Sequence, residues 1–178
     1  YIMVILGAFT TYYIPLFSSM KSNEEINKFV NEKSISVVFI SSIVIAIMIL
    51  LKEHVVTILY SEEFVGGVEV LKYMLIADIL KVVSWFFGAV LIVRQNKGVF
   101  LSTEVLFNLI LISITYYLIG NEFSAAGIGF LVSNIVYALV VCTYISKKYK
   151  ISYNNKNKFY LFIIFSFLTL LSGLNFYH

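Results

Sequence analysis

Apolar residues dominate six long stretches of the chain, and short polar connections separate them. The stretches cover residues 1–20, 35–58, 68–93, 99–119, 124–146 and 159–177. A helix needs about 20 apolar residues to cross the hydrocarbon core of a bilayer. The pattern therefore predicts an all-α, polytopic transmembrane helix bundle with about six spanning helices. Since no Pro-, Gly- or Ser-rich linker interrupts the sequence, we interpret residues 1–178 as a single transmembrane domain.

The positions of Lys and Arg predict how these helices are oriented. Ten of the thirteen basic residues lie in three connections, 21–33, 94–97 and 147–158. Cytoplasmic loops of membrane proteins carry an excess of basic residues, so we expect these three connections on the cytoplasmic side. The first and last residues of the chain would then lie on the outer side. Within 21–33, Glu24 and Lys28 have the i,i+4 spacing of an ion pair on a helix surface.

Composition narrows the function classes. The chain is 60% hydrophobic and only 13% charged, whereas soluble domains carry about 25% charged residues. It holds one cysteine, Cys142, and two histidines, His54 and His178, so neither an internal disulfide nor a metal-ligand cluster is expected. The sequence also lacks a nucleophile–His–acid set, a Gly-rich phosphate loop and a basic face for nucleic acid. We therefore predict a protein that is not an enzyme and has no cofactor, metal or nucleic-acid partner.

Two opposite charges interrupt the third apolar stretch. Asp78 and Lys81 lie three residues apart near its middle, which places them on one helix face, and Trp85 continues that face. Each charge at mid-membrane depth costs about 2.5–3.5 kcal/mol on insertion scales. Such residues are retained where they pair, face a polar cavity or bind a solute. An ion pair between helices explains them structurally, but we favour a site for a substrate or coupling ion.

The fourth apolar stretch carries a second polar stripe. Glu104 and Asn108 are four residues apart near its cytoplasmic end, and Arg94 precedes them at the inner mouth. Glu104 could pair with Lys81 or Arg94, or retain a proton because burial disfavours its charged form. We include Lys81, Arg94, Glu104 and Asn108 in the predicted pathway.

Other residues in the apolar stretches have structural explanations beside functional ones. Pro15, the only proline, predicts either a simple kink near a helix end or a bend that shapes a cavity. Ala125, Gly129 and Ser133 recur every four residues, which is typical of a close helix–helix contact. Asn134 could equally join helices by a hydrogen bond or contact a solute.

An ordered set of short motifs resembles a known transporter family. The motifs are Tyr-x-x-Pro-Leu-x-Ser at 12–18, Leu-Tyr-Ser-x-x-Phe at 59–64, Ala-Asp-x-x-Lys-x-x-x-Trp at 77–85, Thr-Glu at 103–104 and the Gly-bearing turn at 125–129. Together they resemble the C-terminal half of Wzx-type O-antigen flippases. These flippases belong to the multidrug/oligosaccharidyl-lipid/polysaccharide exporter superfamily.

The resemblance implies one lobe of a two-lobe transporter in the bacterial cytoplasmic membrane. Its substrate would be an undecaprenyl-pyrophosphate-linked oligosaccharide, an O-antigen or capsule repeat unit, with membrane lipids and a missing N-terminal lobe as the other partners. In this reading Lys81 and Arg94 attract the diphosphate, Asp78 holds Lys81, Glu104 is proton-sensitive and Trp85 stacks on a sugar. Because residue 1 begins within an apolar stretch, we interpret the chain as part of a longer protein.

Three alternatives remain open. A cation-coupled multidrug antiporter of the same superfamily would bind its substrate through the acids instead of Lys81. A membrane-embedded glycan polymerase would need larger outer loops with reactive side chains. A membrane scaffold without transport would bury Asp78 and Lys81 against each other, with no cavity beside them.

Overall fold

The computed structural model describes residues 2–59, 67–120 and 124–173. All regular structure within these ranges is helical, which confirms the all-α prediction. Seven helices follow in chain order: α1 Ile2–Ser19, α2 Asn23–Leu50, α3 Lys52–Leu59, α4 Val68–Val93, α5 Lys97–Leu118, α6 Ala125–Tyr149 and α7 Asn155–Gly173. Most of the 59–64 motif and the last residues of the predicted sixth stretch lie outside the described ranges.

The second predicted stretch has different limits in the structure. Helix α2 begins at Asn23, inside the charged connection, because Ser22 and Glu25 form a capping box. The Ser22 hydroxyl accepts a hydrogen bond from the Glu25 amide at 3.1 Å. The helix then breaks at Leu51, so residues 35–58 are divided between α2 and α3. The expected Glu24–Lys28 pair is absent from the described ion pairs, and Lys28 instead lies 3.9 Å from Glu32.

Four of these helices are long and apolar enough to cross a membrane: α2, α4, α5 and α6. The predicted total of about six spans would also require α1 and α7, which contain 18 and 19 residues. The protein is thus a multi-pass helical membrane bundle.

Helix α4 is the central helix of the bundle, because it contacts each of the six other helices. Its Phe86 is fully buried and packs against Phe17 of α1 and Trp85, with ring centroids 6.4 and 5.0 Å away. Tyr13 of α1 joins the same cluster, 5.8 Å from Phe86. Aromatic packing therefore fixes α1 against the middle of α4 and positions the Trp85 ring.

Glycines on α6 allow the closest helix contacts. A Cβ atom at Gly127 would lie 2.7 Å from the Val70 carbonyl oxygen of α4, and one at Gly129 would lie 2.5 Å from Thr115 Oγ1 of α5. Ala125, Gly129 and Ser133 are all buried, as the small-residue spacing predicted. Helix α6 is therefore packed tightly between α4 and α5.

The three connections rich in Lys and Arg meet at one end of the bundle. Side-chain hydrogen bonds join them in pairs: Arg94 Nη2 to Asn23 Oδ1 (2.7 Å), Asn96 Nδ2 to Tyr149 Oη (3.3 Å) and Asn31 Nδ2 to the Ser152 carbonyl (2.9 Å). This grouping is what the orientation prediction requires, since loops on one side of a membrane must share one end.

The connection between α6 and α7 is held in place by asparagines. Asn27 Oδ1 accepts a hydrogen bond from the Ser152 amide at 2.9 Å, and Asn31 Oδ1 accepts one from the Asn154 amide at 2.8 Å. Asn157 Nδ2 donates to the Asn31 carbonyl at 2.7 Å. We call Asn27, Asn31 and Asn157 the asparagine clamp. It satisfies backbone groups of the non-helical segment between α6 and α7.

Candidate functional site

A cavity of about 310 Å³ lies between α1, α4, α5 and α6. Its polar lining is small and comes from six residues: Thr10, Lys81, Ser84, Glu104, Asn134 and Tyr137. The remaining wall is mainly apolar and aromatic, and includes Trp85, Phe100 and Phe107. A few polar groups in an apolar wall are typical of sites that bind organic ligands. We refer to this space as the central cavity.

Lys81 enters the central cavity from α4. Its Nζ atom lies over the ring of Phe130 on α6, 5.4 Å from the centroid. A cation in this position is attracted by the ring quadrupole, which partly replaces lost hydration. The side chain thus reaches across to α6, and Lys81 is one of the residues that line the cavity.

Asp78 does not form the direct ion pair with Lys81 that the spacing suggested. The ion pairs found in the described part of the chain are Lys28–Glu32 and Lys72–Glu69. Asp78 is half-buried and does not line the central cavity. Because Lys81 turns toward Phe130, the two charges share a helix face without touching.

Glu104 faces the central cavity from α5 and is fixed by a residue of α6. The Tyr137 hydroxyl donates a hydrogen bond to Glu104 Oε1 at 3.0 Å. Tyr137 Oη also lies close to α4, 3.4 Å from where a Cβ at Gly88 would be. Neither Lys81 nor Arg94 forms an ion pair with Glu104 within the described ranges. The carboxylate is therefore oriented by a neutral donor, while a lysine shares the same cavity.

Trp85 lines the central cavity, and two aromatic neighbours pack against its ring. It packs edge-to-face on Phe86 at 5.0 Å and lies 6.5 Å from Tyr13. Both neighbours belong to the aromatic cluster of α1 and α4, so the indole is held in a defined orientation. A supported indole face is suited to stacking on a flat or weakly polar ligand surface.

Two more of the predicted pathway residues, and the predicted kink residue, lie elsewhere. Arg94 ends α4 and donates to Asn23 at the end where the basic connections meet. Asn108 is exposed, and its Nδ2 donates to the Glu104 carbonyl of its own helix at 2.8 Å. Pro15 lies inside α1, which continues to Ser19, so the proline does not end the helix. The structure brings Lys81, Trp85 and Glu104 together, and leaves Asp78, Arg94 and Asn108 outside the cavity lining.

Sequence reasoning missed Tyr137 and left Asn134 undecided. Both line the central cavity from α6, where they are three residues apart and share a helix face. Asn134 is 2% exposed and donates through Nδ2 to the Phe130 carbonyl at 2.8 Å. The available sequence signal for this face was a tyrosine far from the ends of a membrane helix, three residues after an asparagine.

Comparison with known proteins identifies the family. The profile of the family described as Lipid II flippase MurJ matches residues 1–175. The chain belongs to the MurJ family. It is accordingly a member of the flippase superfamily that the sequence motifs had indicated, while the Wzx type is not specified by this match. No curated protein and no solved structure gives a significant match to the chain.

Family membership and fold agree on a membrane transporter. The MurJ family consists of flippases of lipid-linked precursors, and the chain supplies a multi-pass bundle of apolar helices around a partly polar cavity. The scaffold alternative predicted no cavity beside Lys81, which is wrong because Lys81 lines a cavity of about 310 Å³.

Proposed function

We propose that this chain is one lobe of a flippase that carries an undecaprenyl-pyrophosphate-linked oligosaccharide across the bacterial cytoplasmic membrane. The observation that carries the proposal is the combination of Lys81, Glu104 and Trp85 in a single cavity between membrane helices. Such a substrate has an anionic diphosphate, sugar hydroxyls and an isoprenoid tail. Each of the three side chains matches one part of its polar head.

Lys81 is the group that we assign to the diphosphate. It is the only basic residue lining the described central cavity, and no carboxylate of the described residues pairs with it. A cation in a low-dielectric site attracts phosphate more strongly than it would in water. The contact with the Phe130 ring is weak enough to be exchanged for a phosphate contact.

Glu104, Tyr137 and Asn134 are the groups that we assign to the sugars. Carboxylate, phenol and amide groups exchange hydrogen bonds readily with hydroxyls. Trp85 provides the apolar surface on which the face of a sugar ring can stack. Glu104 already accepts a hydrogen bond from Tyr137. A sugar hydroxyl can therefore join this hydrogen-bonded group while the carboxylate keeps a donor.

The same geometry argues against a drug-cation antiporter. Lys81 shares the cavity with Glu104 and would repel a cationic drug. Efflux of cationic dyes by cells expressing the protein would favour this alternative over the flippase.

Binding can be followed through Trp85, the only tryptophan of the chain. Farnesyl pyrophosphate is the short diphosphate probe, and farnesol is the matched probe without phosphate. We expect farnesyl pyrophosphate to change Trp85 emission, with affinity reduced about tenfold or more in Lys81→Gln because a charge-assisted contact is lost. Lys72→Gln is the matched control, since Lys72 lies on the same helix but pairs with Glu69 outside the cavity.

Equal binding of farnesyl pyrophosphate by wild type and Lys81→Gln would remove the assignment of Lys81.

Substrate class is tested separately in cells, by expressing the full protein in strains that lack either their O-antigen flippase or their lipid II flippase. Restored O-antigen export alone supports a repeat-unit flippase of the Wzx type. Rescue of the lipid II strain alone would assign the peptidoglycan precursor instead.

A further inference from the structure

A second cavity, of about 290 Å³, lies at the end of the bundle where the basic connections meet. Thr143, Ser146 and Lys147 of α6 line it together with Lys158 of α7, and Phe87 and Cys142 form part of its apolar floor. We call it the elbow pocket, because it adjoins the turn between α6 and α7. It shares no lining residue with the central cavity.

The charged residues that line the elbow pocket are both lysines. Residues 123–178 contain five lysines and no Asp or Glu. Neither Lys147 nor Lys158 takes part in an ion pair within the described part of the chain, where the two pairs involve Lys28 and Lys72. The lining therefore carries two positive charges and no carboxylate, beside a space that is large enough for a ligand group.

The neighbouring lysines are engaged differently. Lys148 Nζ donates to the Tyr144 hydroxyl at 2.9 Å and lies over the Tyr149 ring. Lys156 lies over the ring of Tyr160, 5.8 Å from its centroid. Lys147 and Lys158 are thus the two lysines of this region that line the pocket, which separates them from a uniform basic surface.

The walls of the pocket favour an amphiphile over a free anion. The hydroxyls of Thr143 and Ser146 can donate hydrogen bonds to phosphate oxygens beside the two ammonium groups. Large apolar side chains are exposed close by on the same two helices, with Leu139 63% and Phe162 69% exposed. A phosphate held by the lysines would leave its acyl chains against this apolar surface.

The pocket is also built on a fixed backbone. The asparagine clamp holds the Ser152 amide and carbonyl, and Tyr153 next to it packs edge-to-face on Phe87 at 5.0 Å. Burial raises the pKa of the Tyr153 phenol, so this wall stays uncharged. A ligand entering the pocket therefore meets a preorganised site and not a mobile loop.

We propose that the elbow pocket binds the headgroup of an anionic phospholipid, with Lys147 and Lys158 contacting its phosphate. The site is separate from the proposed substrate path, and its occupancy would tether the turn between α6 and α7 to the membrane surface. Basic residues near anionic lipid each contribute about 1 kcal/mol, which corresponds to roughly fivefold in affinity per lysine.

The test measures lipid retained by the full protein in neutral detergent, using native mass spectrometry with added phosphatidylglycerol or phosphatidylcholine. We expect phosphatidylglycerol to be preferred, and the preference to fall roughly 30-fold in the double variant K147Q/K158Q. The matched control K148Q/K156Q removes the same charge from the same region and should retain binding within a few-fold. Equal losses in both pairs would indicate a diffuse field and overturn the pocket.

Two further experiments test whether the lipid occupies the pocket itself. Ser146→Leu fills the space without changing any charge, so it should reduce phosphatidylglycerol binding, and unchanged binding would overturn the site. Inorganic phosphate at millimolar concentration should not displace the lipid, since it lacks the acyl chains. Displacement by phosphate alone would overturn the lipid assignment. The variant K147R/K158R keeps both charges and should therefore keep the preference for phosphatidylglycerol.

Discussion

Helices α4 and α5 have similar apolar content but opposite positions in the bundle. Their most apolar windows have mean hydropathies of 2.1 and 1.8, yet 61% of that window is buried in α4 and only 6% in α5. Both are long and apolar enough to cross a membrane. Which of them becomes the central helix is decided by the surfaces that pack together, and not by hydropathy.

The polar residues of the two helices differ in the same way. On α4, Lys81 and Ser84 face the central cavity, and Ser84 is buried. On α5, Glu104 faces the cavity, but Asn108 bonds to its own backbone at an exposed position. A polar residue in a membrane helix is therefore informative only when its neighbours are known.

The comparison is tested most strongly by removing one large side chain from each helix. Phe86→Ala on α4 should destabilise the protein by about 3 kcal/mol, the lower end of the range for buried Phe, because lipid weakens the transfer contribution. The Leu109 side chain on α5 is 58% exposed. Leu109→Ala should therefore change stability by less than about 0.5 kcal/mol. Thermal unfolding in detergent, followed by circular dichroism, measures both. Similar shifts would mean that α4 is not the packing centre.

Glycine substitutions probe the contacts that α6 makes with α4. Gly127→Ala places a Cβ 2.7 Å from the Val70 carbonyl, so the helices must separate, at a cost of about 2 kcal/mol. Gly98→Ala on α5 meets no atom within 4 Å and should be neutral or slightly stabilising. The same melting experiment compares them. A neutral Gly127→Ala would contradict the close approach of α6 and α4.

The smallest expected effect concerns hydrogen bonds of the two polar residues on α5. Tyr137→Phe removes the donor to Glu104 and should cost about 1 kcal/mol, while also weakening transport because the carboxylate loses its orientation. Asn108→Ala removes a bond to exposed backbone and should leave both stability and transport nearly unchanged. Paired melting and glycan-export measurements test this difference. An equal loss of export in both variants would show that the stripe predicted from spacing acts as one unit.

Much of this architecture follows from local properties of the sequence. The apolar stretches predicted the spanning helices, since burial of backbone groups in lipid requires helices. The distribution of Lys and Arg predicted which connections share an end, and hydrogen bonds such as Arg94–Asn23 confirm that they meet. Lys81, Trp85 and Glu104 were found as candidates because polar side chains are conspicuous in an apolar segment. Family membership was likewise indicated by short motifs at the level of the superfamily.

Tertiary structure alone decided which of these residues meet. Spacing placed Asp78 and Lys81 on one face, but in the structure Lys81 Nζ lies over the Phe130 ring of α6 and forms no ion pair with Asp78. Tyr137 and Glu104 are 33 residues apart, so no local pattern could join them. Helical periodicity specifies the direction of a side chain relative to its own axis, whereas a cavity depends on how several axes pack. That packing is set by contacts such as Gly127 against Val70, which involve residues distant in sequence.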